Sequence, residues 1–198
     1  MKKKNGFTIV EVSLVLGIAG LIMIMAFVAL PSLWSSQRDA DRRANVMALI
    51  SALKTYQTNN SRGALPSLPS GISDVTYTIR KPIAGASDGN WAGFIQDYYL
   101  KNSNSLEDPG GNLYQIKIFE GCDASVAVGD YCDISSDANF SNNINRVATP
   151  KYEIDTPVIY VVKGATCDED QNAIVKTANN RYVAAVQVLE KGKYCQNT

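Results

Sequence analysis

The longest apolar run lies near the start of the chain. Residues 12–37, VSLVLGIAGLIMIMAFVALPSLWSSQ, hold no charged side chain. A helix needs about 20 apolar residues to cross a bilayer, so this stretch predicts a transmembrane segment with residues to spare. Apolar positions then continue at helical spacing. Val46, Leu49, Ile50, Leu53 and Tyr56 fall at i, i+3, i+4, i+7 and i+10 and form one stripe. Arg38, Asp39, Asp41, Arg42, Arg43 and Lys54 supply the polar faces. The pattern predicts one helix from about Phe7 to about Asn60, roughly 80 Å long at 1.5 Å per residue. Pro31 removes a helix hydrogen bond and is expected to bend it. The second half is expected beneath a globular head.

Beyond Asn59-Asn60-Ser61-Arg62-Gly63 the helical period stops, and the Pro- and Ser-rich stretch 65–71 reads as a linker. Strands are expected over Val75–Arg80, Tyr114–Phe119, Pro157–Val162 and Tyr182–Leu189, with a short helix over Trp91–Leu100. Asp108-Pro109-Gly110-Gly111-Asn112 is turn chemistry leading into the second strand. The Asp-, Ser- and Asn-rich stretch Cys122–Asn145 reads as an exposed loop. The expected fold is α+β: a long N-terminal helix with a roughly four-stranded antiparallel sheet wrapped on its second half.

Composition narrows the chemistry. The chain carries 19 basic and 19 acidic residues, so no net field favours nucleic acid. Lys2, Lys3 and Lys4 crowd the start, and the positive-inside rule keeps that end cytoplasmic and the head outside. There is no histidine, the commonest general base and zinc ligand. No G-x-S-x-G, Walker, G-x-G-x-x-G or H-E-x-x-H motif occurs, so no enzyme is expected. Cys122, Cys132, Cys167 and Cys195 contain no C-x-x-C pair. An even count in an exported region suggests disulfides. Four cysteines allow three pairings, of which Cys122–Cys132 and Cys167–Cys195 close the shortest loops.

Glu11 stands against the apolar run. A carboxylate there costs on the order of 2–3 kcal/mol or more with depth, and such residues are usually functional. A secretory signal would have a shorter core and a small-residue cleavage site. A plain signal anchor leaves Glu11 unexplained. The stretch Lys2-Lys3-Lys4-Asn5-Gly6-Phe7-Thr8-Ile9-Val10-Glu11 resembles the class III signal of type IV pilins and type II secretion pseudopilins. The resemblance covers residues 2–30 and implies cleavage after Gly6 by a prepilin peptidase, with N-methylation of Phe7. It makes Glu11 the fifth mature residue, placed to neutralise the α-amine of a neighbouring subunit inside a filament. Gly17, Gly20 and Pro31 take part in the assembly helix, although Pro31 stands later after the glycines than is usual in the family. The D-P-G-G-N-L-Y stretch from Asp108 to Tyr114 also resembles the entry to the sheet in this family.

The resemblance divides the chain into a leader at 1–6, a transmembrane or filament-core helix at 7–37 and an extracytoplasmic head at 38–198. It implies a subunit that polymerises with itself from the cytoplasmic membrane, served by an assembly ATPase and a platform protein. The primary reading is a type IV pilus on the cell surface for adhesion, motility or DNA uptake, with DNA a partner only in the last case. The alternatives are a secretion pseudopilin and an anchored binding domain that never polymerises. No cofactor is expected. Asp123, Asp130, Asp133 and Asp137, and Asp168, Glu169 and Asp170, offer clustered oxygens of the kind calcium takes, but in no established ligand pattern. They read as solvated loops. Trp91, Tyr98 and Tyr99 read as core rather than as a sticky surface.

Overall fold

In the computed structural model, described over residues 7–60, 63–101, 106–132, 157–170, 173–190 and 192–198, the chain divides into two compact units, the first ending at Arg38 and the second beginning at Asp39. Helix α1, Ile9–Asn59, continues as helix through Pro31. It ends as the periodicity predicts, with Asn60 N–H still bonded to the Tyr56 carbonyl and Gly63 in the left-handed region at φ 67°.

Within Asp39–Thr198, the elements after α1 are β1 (Asp74–Thr78), α2 (Trp91–Phe94), a π-helical turn (Ile95–Tyr99), β2 (Gln115–Phe119), β3 (Val158–Lys163), β4 (Ala165–Cys167), β5 (Ile174–Lys176), β6 (Val183–Leu189) and β7 (Gly192–Asn197). Asn90 caps α2, its Oδ1 accepting from Gly93 N–H at 2.7 Å. Residue 93 must be glycine, because a Cβ there would stand 2.1 Å from the Ser87 carbonyl oxygen.

The main sheet runs β1-β2-β3-β6-β7. The sequence led us to expect about four antiparallel strands; the sheet has five, and β2 pairs parallel to β3. Residues 120–157 separate those two strands, enough chain to return to the starting edge and enter in the same direction. Strand β7 escaped notice because Gly-Lys-Tyr-Cys-Gln-Asn is an edge strand with only Cys195 buried. Strands β4 and β5 form a separate ribbon of three residues each, too short to show a period.

Strands β3 and β6 are buried on both faces, which is why they read as nearly unbroken apolar runs. Alternation assigns Ile159, Val161, Val183 and Ala185 to the inner face with Ile116 and Ile118. Val46, Leu49, Ile50, Leu53 and Tyr56 of α1 pack into that core, as their spacing predicts. Trp91 and Phe94 belong to the same core. Their rings meet edge to face, as do Tyr56 and Phe94, so the aromatic cluster is interior.

Tyr160, Val162, Ala184 and Val186 face the other way, into a second core with Ala165, Ile174, Cys132 and Cys195. The layer over that face is the β4–β5 ribbon plus residues 129–132, which lie along β5 through Cys132 N–H to the Ile174 carbonyl and Lys176 N–H to the Asp130 carbonyl. Two disulfides hold it, Cys122–Cys132 and Cys167–Cys195. The second ties β4 to the edge strand β7. Replacing Cys167 by serine is expected to remove about 2–4 kcal/mol and to speed limited proteolysis of the β7 segment. Unchanged digestion would mean that strand pairing alone holds the tail.

Candidate assembly site

The start of α1 is capped from within. Thr8 Oγ1 accepts the Glu11 N–H, and Glu11 Oε2 accepts both the Thr8 N–H and the Thr8 hydroxyl, all at 3.3 Å. This is the reciprocal capping box of a Thr-x-x-Glu sequence. The sequence reading gave Glu11 only an intersubunit role, although Thr8-Ile9-Val10-Glu11 carries the local signal. Glu11 therefore satisfies its own helix end in an isolated subunit. A carboxylate has about four lone-pair sites, so it can also receive a cation placed beside it.

From Phe7 to Pro31 every side chain is exposed, including Phe7, Ile9, Leu16, Ile24 and Phe27. The segment is long and apolar enough to cross a membrane. A continuous apolar surface of this extent is far beyond what a lone soluble subunit presents, so lipid or further copies must cover it. A Cβ built on Gly17 or Gly20 meets nothing within 4 Å. Within one subunit, neither glycine is needed for space. Gly6 and Lys2 to Lys4 lie outside the described residues.

The part of α1 that belongs to the head is fixed near Arg42 by a buried ion pair. Arg42 Nε donates to Asp108 Oδ1 at 2.7 Å and Arg42 Nη2 to Oδ2 at 2.8 Å, a two-pronged contact with both residues at most 3 % exposed. The Gly110 N–H and the Tyr114 hydroxyl each donate to the same carboxylate at 3.2 Å. Asp39, one turn earlier, accepts the Glu190 N–H at 2.8 Å, and Glu190 Oε1 stands 4.0 Å from Arg42 Nη1. The cluster thus joins α1, the turn before β2 and the end of β6. Arg43 adds a cation–π contact, 5.6 Å over the Tyr194 ring.

The sequence reading assigned Asp39 and Arg42 to the polar face and Asp108 to a turn. The missed signal is periodic: 39, 42, 46, 49, 53 and 56 continue one stripe, so its first two members are buried charges that need partners. Asp108 does make the turn, accepting the Gly111 N–H on its carbonyl at 2.7 Å.

Burial alone would raise the Asp108 carboxyl, but hydrogen bonds from Arg42 and from Gly110 N–H outweigh it and hold the group below its ordinary value. The Asp108 hydrogen bond raises Arg42 against the opposing effect of its own burial. Because the folded carboxyl titrates below the unfolded one, near 3.9, its stabilisation is complete above about pH 4 and is lost as pH falls through the folded value. The melting temperature should therefore drop below about pH 4, and less steeply in Asp108→Asn. Parallel wild-type and mutant curves would assign the acid loss to other carboxylates.

The acidic loops are locally engaged. Asp123 Oδ1 accepts the Ser125 N–H at 2.8 Å and its hydroxyl at 2.7 Å, and Asp168 Oδ1 accepts the Ala173 N–H at 3.1 Å. Among the described residues no three carboxylates, cysteines or histidines converge as a metal site. Asp133 and Asp137 lie outside those residues.

No protein-family model matches the chain, and no solved structure does. Curated proteins do. Type II secretion system core protein G of Dickeya chrysanthemi is 28% identical over 118 residues, 58% of this chain and 69% of that protein. The protein of the same name from Aeromonas hydrophila is 29% identical over 118 residues, covering 58% and 73%. That of Klebsiella michiganensis is 30% identical over the same length, covering 58% and 74%. With a long apolar helix leading into an α+β head and a Glu11 cap at its start, the chain belongs to the type IV pilin and type II secretion pseudopilin family.

Proposed function

We propose that this chain is a structural subunit of a type II secretion pseudopilus. The observation that carries this is the name shared by the three relatives above. In this reading the precursor sits in the cytoplasmic membrane with its head outside. A prepilin peptidase cuts after Gly6 and methylates Phe7. An assembly ATPase and a membrane platform protein then stack the subunits, helix against helix. The exposed apolar face of α1 exchanges lipid for neighbouring helices, and Glu11 meets the new amine of the next Phe7. No catalytic step is assigned to the head, and the filament lies outside the cytoplasmic membrane.

A type IV pilus subunit is the second reading. It is favoured by the disulfide-stapled C-terminal region and by a chain longer than is expected of a major pseudopilin. Deleting the gene separates the two. Loss of secreted enzymes from the medium, with their accumulation inside the cell, supports the pseudopilus. Normal secretion with loss of a sheared surface filament containing this chain overturns it.

A further inference from the structure

The uncharged stretch 12–37 is longer than a bilayer needs, at about 39 Å against a hydrocarbon core of roughly 30 Å. Something must decide which part lies in hydrocarbon. Glu11 marks one end. At the other end the described helix changes character over a single turn. Pro31 withdraws the amide that an uninterrupted helix aims at the Phe27 carbonyl, which is expensive to leave bare in lipid and cheap near water. Ser35 and Ser36 turn their hydroxyls back onto the Ser32 carbonyl, at 3.0 and 2.9 Å. Between them stands Trp34, 56 % exposed and the only exposed tryptophan, since Trp91 is buried. An indole has an apolar body and one N–H donor, and favours the headgroup level of a membrane.

We propose that Trp34 is an interfacial anchor for phospholipid headgroups of the outer leaflet. It fixes the depth of the span so that Val12 to Leu30 occupy hydrocarbon and Pro31 to Gln37 lie in the headgroup layer. That length, at about 1.5 Å per residue, matches the hydrocarbon thickness. The inference rests on the membrane-anchored precursor of the preceding reading. Bound there, the subunit cannot sink towards the cytoplasm, and Glu11 is held at the inner boundary rather than in the middle of the bilayer.

The test uses the full chain in phosphatidylethanolamine–phosphatidylglycerol vesicles carrying brominated acyl chains. Flotation first shows whether the chain inserts. The Trp34 signal is the difference between wild type and Trp34→Phe, which leaves the core untouched. Bromines close to the headgroup should quench it about twofold more than bromines near the bilayer centre, with little quenching by aqueous iodide. Flotation with strongest quenching from the centre, or with quenching by iodide alone, overturns the anchor while leaving the membrane reading intact. Failure to float overturns both. Protection from every quencher that grows with protein concentration would show that a second copy covers Trp34, and would also overturn the anchor.

Discussion

Asp108→Leu will cost the head about 3–5 kcal/mol, the largest loss expected from any single substitution in it, because it strands the Arg42 guanidinium in a dry interior. Arg42→Met should do comparable damage by stranding Asp108. For a unit of this size, that loss lowers the melting temperature by roughly 6–20 °C. The pair as a whole is a different matter. Desolvation of two charges consumes much of their attraction, so Arg42→Met combined with Asp108→Leu should recover most of the loss. Thermal unfolding of the four proteins in mild detergent, followed by near-ultraviolet circular dichroism, measures the cycle. Additive losses would mean that the residues act through separate contacts, Asp108 through its turn and Arg42 through Glu190.

Glu11 is expected to have the largest effect on assembly. Two roles meet in one carboxylate, the local cap with Thr8 and the proposed pairing with a neighbour's α-amine, and two substitutions divide them. Glu11→Gln keeps the capping geometry, since glutamine serves the same box, but removes the charge. Glu11→Ala removes both. If pairing governs, each variant should lower the sedimentable filament by a hundredfold or more, the scale set by an unpaired buried charge of about 3–5 kcal/mol. The mass of the N-terminal peptide should show cleavage after Gly6 in both. Normal filaments with glutamine and few with alanine would give the role to the cap, which is worth about 1 kcal/mol.

Much of the fold is legible in the sequence because burial follows period. The stripe from Val46 to Tyr56, the alternation in β2 and the apolar runs of β3 and β6 each encode their own environment. What escapes is carried by pairing rather than by pattern. The parallel register of β2 on β3 depends on where a long connection delivers the chain. Strand β7 is defined by its neighbour, not by its own polar residues. The Arg42–Asp108 contact joins two positions that each look like ordinary surface or turn residues alone, although their place on the stripe marks Arg42 and Asp39 as buried. For the candidate site, the resemblance around Gly6, Phe7 and Glu11 supplied the family. The choice of filament came from relatives instead: the sequence reading favoured a pilus, and their names favour a secretion pseudopilus. Residues 1–6 lie outside the described structure, so processing rests on the sequence.

The two cores of the head differ in when they can be finished. The core against α1 closes by packing alone. The outer one is roofed by short segments, β4, β5 and residues 129–132, held by two cross-links. Disulfides do not persist in the reducing cytoplasm. Before those cross-links form, the outer layer rests on short strand pairing alone, and it stiffens only in an oxidising space. The roof thus acts as a record of redox history: a head with its outer layer locked is one that has met an oxidising environment.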